Sequence, residues 1–306
     1  ISVPDDYPTI QGAVQASEDG DTILVARGSY IGPVRFNGKR IEIRSLEGPA
    51  VTFIDATTSA VQFVDGETLE STINGFTITG GPAVFGGGVH ISDSSGTVNN
   101  CVVLGSASIR GGGISVQWGT ANINNTGFSG SAGQCGGLSA FNATVTLQGC
   151  TGAGGAIRGG AIAAIDSSVT CRSGYLANGN ATYEGGGMFA LRSSVDLKTT
   201  IFENCGAGTP FDLAARGAGL SIIESPIPSI ENCTFLENEI EVIERAEGGA
   251  IYTDNSLVLM SVVFDENTLL VGGERPDETL TDGFVSGAAL YSSSGSCTLV
   301  DCIFLR

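Results

Sequence analysis

Lysine and histidine are nearly missing from this 306-residue chain, which holds two lysines, Lys39 and Lys198, and one histidine, His90. Its 14 basic residues face 32 acidic ones, a formal net charge of −18. Nucleic acid and anionic membrane surfaces both recruit clustered Lys and Arg, so neither is an expected partner. No run of 18 apolar residues occurs, so no apolar helix of membrane-spanning length is expected. A lone histidine cannot complete a zinc centre, and there is no Cys-x-x-Cys, no calcium-cage cluster of acids and no Gly-Gly-x-Gly-x-Asp repeat. We therefore expect neither a metal nor a cofactor. The chain opens at Ile1 without a basic and apolar leader pattern, so any leader is expected to have been removed already.

Glycine is what the chain has in excess: 46 residues, roughly twice ordinary usage. The glycines lack a three-residue period, which excludes collagen, and regularly spaced apolar residues exclude disorder. They fall instead in pairs and triplets that precede an aliphatic residue, as in Gly86-Gly87-Gly88-Val89, Gly111-Gly112-Gly113-Ile114 and Gly159-Gly160-Ala161-Ile162. The aliphatic positions are Val89, Ile114, Leu138, Ile162, Met188, Leu220, Ile251 and Leu290, spaced 25, 24, 24, 26, 32, 31 and 39 residues apart. A second marker keeps step, as in Asn100-Cys101-Val102-Val103, Asn125-Thr126-Gly127-Phe128 and Asn232-Cys233-Thr234-Phe235, with an asparagine three residues later at Asn238 and Asn267.

Segments between the markers alternate apolar and polar in the manner of strands, for example Val145-Thr146-Leu147 and Val195-Asp196-Leu197. Three short strands in about 24 residues make one coil of a right-handed parallel β-helix, an all-β fold in which counterparts on successive coils stack about 4.8 Å apart. A leucine-rich repeat lacks its consensus here, and a propeller blade needs about 40 residues. The aliphatic column above is expected inside, together with Val103, Phe128, Tyr175, Phe202, Phe235, Phe264 and Phe304. Residues 1–20 read as an N-terminal cap with a short helix and Pro8 in its first turn, residues 21–80 as irregular first coils, and 81–306 as repeat coils. The whole is one solenoid domain, 1–306. No capping element follows the last strand, so end-to-end self-association through this uncapped coil is expected.

The opening "VPDDYPTIQGAVQASEDGDTILVARGSY" and the segment "INGFTITGG" resemble secreted right-handed β-helix proteins of the pectin-lyase-like superfamily. The Gly-Gly-Ala-Ile and Phe-x-x-Asn markers are similar to the repeats of polymorphic outer-membrane proteins. The resemblance implies a secreted or cell-surface location. It leaves function open, because that superfamily holds lyases, hydrolases, epimerases, adhesins and structural proteins.

The superfamily's hydrolase and lyase patterns are absent: the one Asp-Asp is Asp5-Asp6, ahead of the cap, and His90 sits in Val-His-Ile. One column carries chemistry. Before each glycine corner stand Phe85, Arg110, Gln134, Arg158, Glu184, Arg216, Glu247 and Ser286. Arg158, Glu184, Arg216 and Glu247 alternate in sign, which reads as a charge ladder or, alternatively, as an arginine-plus-carboxylate catalytic site. Phe189, Tyr252 and Tyr291 are expected to form an exposed strip for stacking on sugars. Loops at 179–183, 206–215, 239–246 and 268–285 lengthen along the chain and are expected either to wall a groove or simply to cover apolar side chains. Asn124, Asn142, Asn180 and Asn232 open glycosylation sequons, relevant in a secreted eukaryotic protein. Cys101, Cys150, Cys233 and Cys302 fall at one repeat position on non-adjacent coils and are expected to be small interior side chains; Cys150–Cys171 and Cys205–Cys233 are geometrically open as disulfides. The expected function is that of an extracellular, non-catalytic structural, adhesive or filament-forming repeat protein. The alternatives are a polysaccharide lyase or hydrolase, or a glycan-binding module.

Overall fold

In the computed structural model the chain winds into three parallel sheets, described for residues 1–209, 211–212, 214–242, 244–271, 284–294 and 296–305. Each coil visits them in the same order. Sheet one follows the glycine corner, as in Val89–Ser92, Ile114–Gln117 and Met188–Leu191. Sheet two comes next, as in Ser95–Asn99 and Thr144–Gln148, and sheet three begins at strands such as Val102–Arg110 and Tyr175–Glu184. Among the described residues sheet one has ten strands and sheet two has twelve. The fold is an all-β parallel solenoid of about ten turns.

The register follows the sequence period. Val89 pairs with Ile114, Ile114 with Leu138, Leu138 with Ile162 and Ile162 with Met188. All eight members of that column line the tube, and those from Val89 to Ile251 are fully buried. The phenylalanine column stacks ring on ring, with centroids 4.7 Å apart for Phe202–Phe235 and 5.5 Å for Phe235–Phe264. Two positions differ from expectation. Leu176, not Tyr175, pairs with Phe202 inside, and Tyr175 points out to donate its hydroxyl hydrogen to Glu203. Phe304, stacked on Phe264, is half-exposed.

Each sequence marker has a physical task. The first corner glycine takes a left-handed backbone, with φ of +61° at Gly111, +63° at Gly159 and +66° at Gly185, where a β-carbon is strained. The corner between sheets two and three is also left-handed and is held by asparagine in three coils, at Asn100, Asn125 and Asn232. The asparagines three residues beyond the phenylalanines, Asn238 and Asn267, face inward. Asn238, fully buried, accepts from the Cys205 amide at 3.1 Å and donates to the Phe202 carbonyl at 3.1 Å and to Asn267 at 2.8 Å. These bonds satisfy backbone groups that the turn leaves without a strand partner.

The first 80 residues obey the same three-sheet order, with strands at Thr22–Val25, Glu42–Ser45 and Thr72–Asn74 in sheet two. Helix Ile10–Ala16 packs Ile10, Ala13 and Val14 onto the first coil. Thr9 is its N-cap, accepting from Gly12, so Pro8 lies just outside the helix and not in its first turn. At the other end the Lys39 ammonium donates to the carbonyls of Val14, Gln15 and Ser17 at 2.6, 3.0 and 2.6 Å. A cation placed there satisfies orphan carbonyls and meets the negative pole of the helix.

All eight cysteines are free thiols and six are buried. Burial pushes the thiols of Cys101, Cys171 and Cys233 up to about 11 and that of Cys205 up to about 12. Cys171 fills space that Gly174 leaves, since a β-carbon there would lie 2.5 Å from its sulfur. Cys101, Cys150 and Cys233 are the small interior side chains expected, whereas Cys302, on the last coil, is only half-buried.

Candidate functional site: an arginine-lined cleft on the lateral wing

Where they are described, the lengthening segments are partly strand: 179–183 lies within Tyr175–Glu184, and 206–215 and 239–246 each begin and end in short strands. In sheet three of the middle coils the chain runs outward, turns, and returns to the glycine corner, so these coils carry a lateral arm. The arm's two legs touch at a neck: a β-carbon on Gly105 would lie 1.4 Å from the Gly112 carbonyl oxygen, and one on Gly179 would lie 2.1 Å from that of Gly186. Only bare backbone lets the legs approach so closely. Arms pair with arms above and below, as Ala156 with Ala181 and Ala181 with Ala207, and so build a wing along the tube. The longer arms enclose a second small core of Ala207, Ala215, Ile240, Val242 and Ala246, with Leu269 against it. Most of the expected loop 268–285 lies outside the described residues.

The returning legs lean over the outer face of sheet one. Arg110 lies over the Phe141 ring at 4.9 Å, Arg158 over Phe189 at 5.5 Å and Arg216 over Tyr252 at 5.0 Å. This cover overturns one expectation. Phe189 and Tyr252 face outward yet are only 2% and 5% exposed, because guanidinium planes occupy their ring faces. Tyr291, half-buried, stacks on Tyr252 at 5.7 Å. No open aromatic strip exists at these positions.

The charge ladder is present and joined. Arg158 pairs in register with Glu184, Glu184 with Arg216, and Arg216 with Glu247. Glu184 meets Arg158 at 3.0 Å and Arg216 at 3.5 Å through different oxygens. Glu247 accepts from Arg216 at 3.1 Å and, on its other oxygen, from Arg245 at 2.6 Å. The Glu247 side chain is 0% exposed and that of Glu184 11%, whereas Arg158, Arg216 and Arg245 are 51%, 32% and 48% exposed. Two carboxylates thus sit beneath three guanidiniums, one positive charge in excess. The hydrogen bond to Glu247 raises the Arg245 pKa further above its already high usual value. Beside the ladder opens a cleft of about 330 Å³ lined by Arg158, Tyr183, Glu184, Ala214, Ala215 and Arg216.

One ladder position departs from the sequence column. Arg110 pairs with Cys135, not Gln134, after a bulge near Ser108; Gln134 instead accepts from the Arg110 Nε at 3.0 Å. Cys135 is buried with Ala163 and Phe189 on the outside of the tube, and its thiol is pushed up to about 11 by burial, against the opposing pull of Arg110 and Arg158. His90 stacks on Phe85 at 5.8 Å, and burial lowers its pKa. Its Nδ1 and the Ser221 hydroxyl, the latter between Phe189 and Tyr252 in register, are buried without a hydrogen-bond partner. Among the described residues no cluster of His, Cys, Asp or Glu suited to a metal ion occurs. The sequons are scattered: Asn142, Asn180 and Asn232 are exposed on separate coils, and Asn124 is half-buried and donates to Asn99 at 2.8 Å. Arg245 and Tyr183 escaped sequence reasoning. Arg245 lies two residues before Glu247, on the same strand face, so period-two reading of Arg-Ala-Glu identifies it.

No protein-family model and no curated protein matches the sequence. Solved structures of similar shape include the A-module of the Azotobacter vinelandii mannuronan C-5 epimerase AlgE6, at 10% identity and TM-score 0.47, covering 96% of this chain and 93% of that one. The catalytic domain of a GH87 alpha-1,3-glucanase in complex with nigerose follows at 13% identity and TM-score 0.34, covering 94% and 68%. Pectate lyase Pel9A follows at 15% identity and TM-score 0.32, covering 86% and 72%. These neighbours are polysaccharide-acting enzymes with a β-helix fold. At such identities no residue's role passes from them to this chain.

Proposed function

We propose that this solenoid is an extracellular, non-catalytic repeat protein that holds a polysaccharide at the arginine-lined cleft of the wing, in a structural or adhesive role. One observation carries the reading: both carboxylates of the ladder are bound by arginine, Glu247 fully covered, while the guanidiniums of Arg158 and Arg216 line the open cleft. A glycosidase needs two carboxyl groups within reach of one glycosidic bond, and a sealed Glu247 reaches none. Arginine presents five donors in a planar fork that suits carboxylate and sulfate groups. The similarity of the Gly-Gly-Ala-Ile and Phe-x-x-Asn markers to polymorphic outer-membrane-protein repeats supports a surface location, and end-to-end association of coils belongs to the same proposal.

Affinity gel electrophoresis against a panel of acidic and neutral polysaccharides tests the binding, and retardation weakened by Arg158→Gln is expected. Parallel incubations followed for ultraviolet-absorbing unsaturated products and for new reducing ends read catalysis. Product formation lost on Glu184→Gln would replace this reading with that of a lyase or hydrolase. Concentration-dependent light scattering reads the association, which a strictly monomeric protein rules out.

A further inference from the structure

The turn from sheet one to sheet two is left-handed on six successive coils, at Asp93, Trp118, Asn142, Asp166, Arg192 and Glu224, with φ between +46° and +51°. Each turn hangs on the next coil: the Asp93 amide donates to the Gln117 carbonyl at 3.0 Å and the Trp118 amide to that of Phe141 at 3.1 Å. Counterparts therefore lie one strand spacing, about 4.8 Å, apart. Asp and Asn tolerate this backbone, whereas a bulky aromatic residue in it is an outlier. Trp118 is that outlier. It is the chain's one tryptophan and is 52% exposed. Arg192, in the same column, is tied down by Asp166 and Glu224. The indole instead meets Phe141 at right angles, centroids 5.7 Å apart, and Arg110 lies over the same Phe141 ring at 4.9 Å. It is thus braced from the sheet yet open to solvent, on a strained backbone of the kind that collects at ligand sites. Asp93 and Asn142, both exposed, flank it one coil before and one coil after.

We infer that Trp118 is a stacking platform for an uncharged pyranose ring, with Asp93 and Asn142 taking the ring's hydroxyls. The C–H face of a sugar ring covers an indole face, and its hydroxyls then point sideways, where a carboxylate accepts and a carboxamide accepts and donates. The negative charge of Asp93 disfavours a ring that carries carboxylate or sulfate, while the Arg110 guanidinium is engaged by Phe141 and by Gln134, to which it donates at 3.0 Å. This site therefore takes a different class of glycan from the arginine-lined cleft and does not depend on it. A protein partner fits less well. A standard interface covers about 800 Å² on each side around an apolar centre, whereas the turn column about this indole is Asp93, Asn142 and Asp166. The net charge of −18 opposes nucleic acid and anionic membranes.

As the sole tryptophan, Trp118 supplies its own fluorescence readout. The unglycosylated protein is titrated with cellohexaose, mannohexaose, xylohexaose and laminarihexaose, with hexagalacturonate as the charged comparison. At least one neutral probe should give a saturable shift or quench of the emission, with the same affinity by calorimetry. Trp118→Asn places in the turn the residue type already present at Asn142, so it should raise the melting temperature and yet weaken binding by calorimetry about tenfold or more. Asp93→Asn keeps the backbone preference and should weaken binding several-fold. Unchanged affinity in Trp118→Asn overturns the inference, as does a tighter emission response to hexagalacturonate than to every neutral probe, or no response to any of the five. Loss of self-association by light scattering in Trp118→Asn, with no sugar response in the parent protein, assigns the indole to a second copy of the chain and overturns it too. The cleft keeps its separate readout, retardation by acidic polysaccharides weakened by Arg158→Gln.

Discussion

Side chains here are judged by what their neighbours on the next coil leave unmet. Asn238 joins three coils through four hydrogen bonds, two of them to backbone. Asn238→Ala strands a buried amide and a carbonyl, and urea denaturation should show a loss of about 1–3 kcal/mol. Thiol titration has a definite sign. Burial raises Cys101, Cys171, Cys205 and Cys233 from the usual 9.0 to about 11 or 12, so the fold favours the neutral thiol. Their contribution to stability is complete below pH 9 and disappears as pH climbs through 11 to 12. Melting temperature should therefore fall across that window, and less steeply in Cys205→Ala. At pH 8 a maleimide should label Cys297 first, since its side chain is exposed.

At this scale the sequence was legible wherever a column is uniform and misleading wherever it slips. Tyr175 and Gln134 were each displaced by one residue, the first because Leu176 competes for the interior, the second because a bulge near Ser108 absorbs a residue. Phe189 and Tyr252 do point outward, as alternation demands. Alternation gives direction and says nothing about what lies beyond, and an arm lies there.

Among the elements, the arms depend most on glycine. A β-carbon at Gly179 would sit 2.1 Å from the Gly186 carbonyl oxygen, so Gly179→Ala must part the neck and should cost about 1–3 kcal/mol or more. Gly155 is the control: its β-carbon position is empty to 4 Å, and Gly155→Ala should be neutral or stabilising by up to about 1 kcal/mol. Equal effects in the two variants would refute the neck. The capping helix hangs on Lys39, whose ammonium reaches three carbonyls. Lys39→Met should speed amide exchange in Ile10–Ala16 while leaving the coils beyond residue 80 protected. The helix, the glycine corner and the coil period are all readable in the sequence; the arms read as loops because stretches such as 206–215, with two glycines and a proline, carry no apolar alternation.

For the whole molecule, each coil touches its neighbours and little else, as the unbroken order of sheets one and two records. Stability in such a stack is close to a sum of coil and interface terms. A lesion at Gly179 should therefore open the middle first and leave both flanks folded, which exchange protection read coil by coil will show. One merged, simultaneous opening would contradict a linear array.

The necks have a consequence for how this molecule can change. Since the two legs of an arm meet backbone to backbone before the chain re-enters the tube, whatever hangs beyond that pinch is hidden from the rungs. Marker intervals already range from 24 to 39 residues without disturbing the register of sheet one. A foreign peptide grafted into the turn around Asp212, where Phe211 is 86% exposed, should be carried without altering the trunk. Sheet one can thus keep its spacing while the wing that carries the cleft is rewritten, one coil at a time.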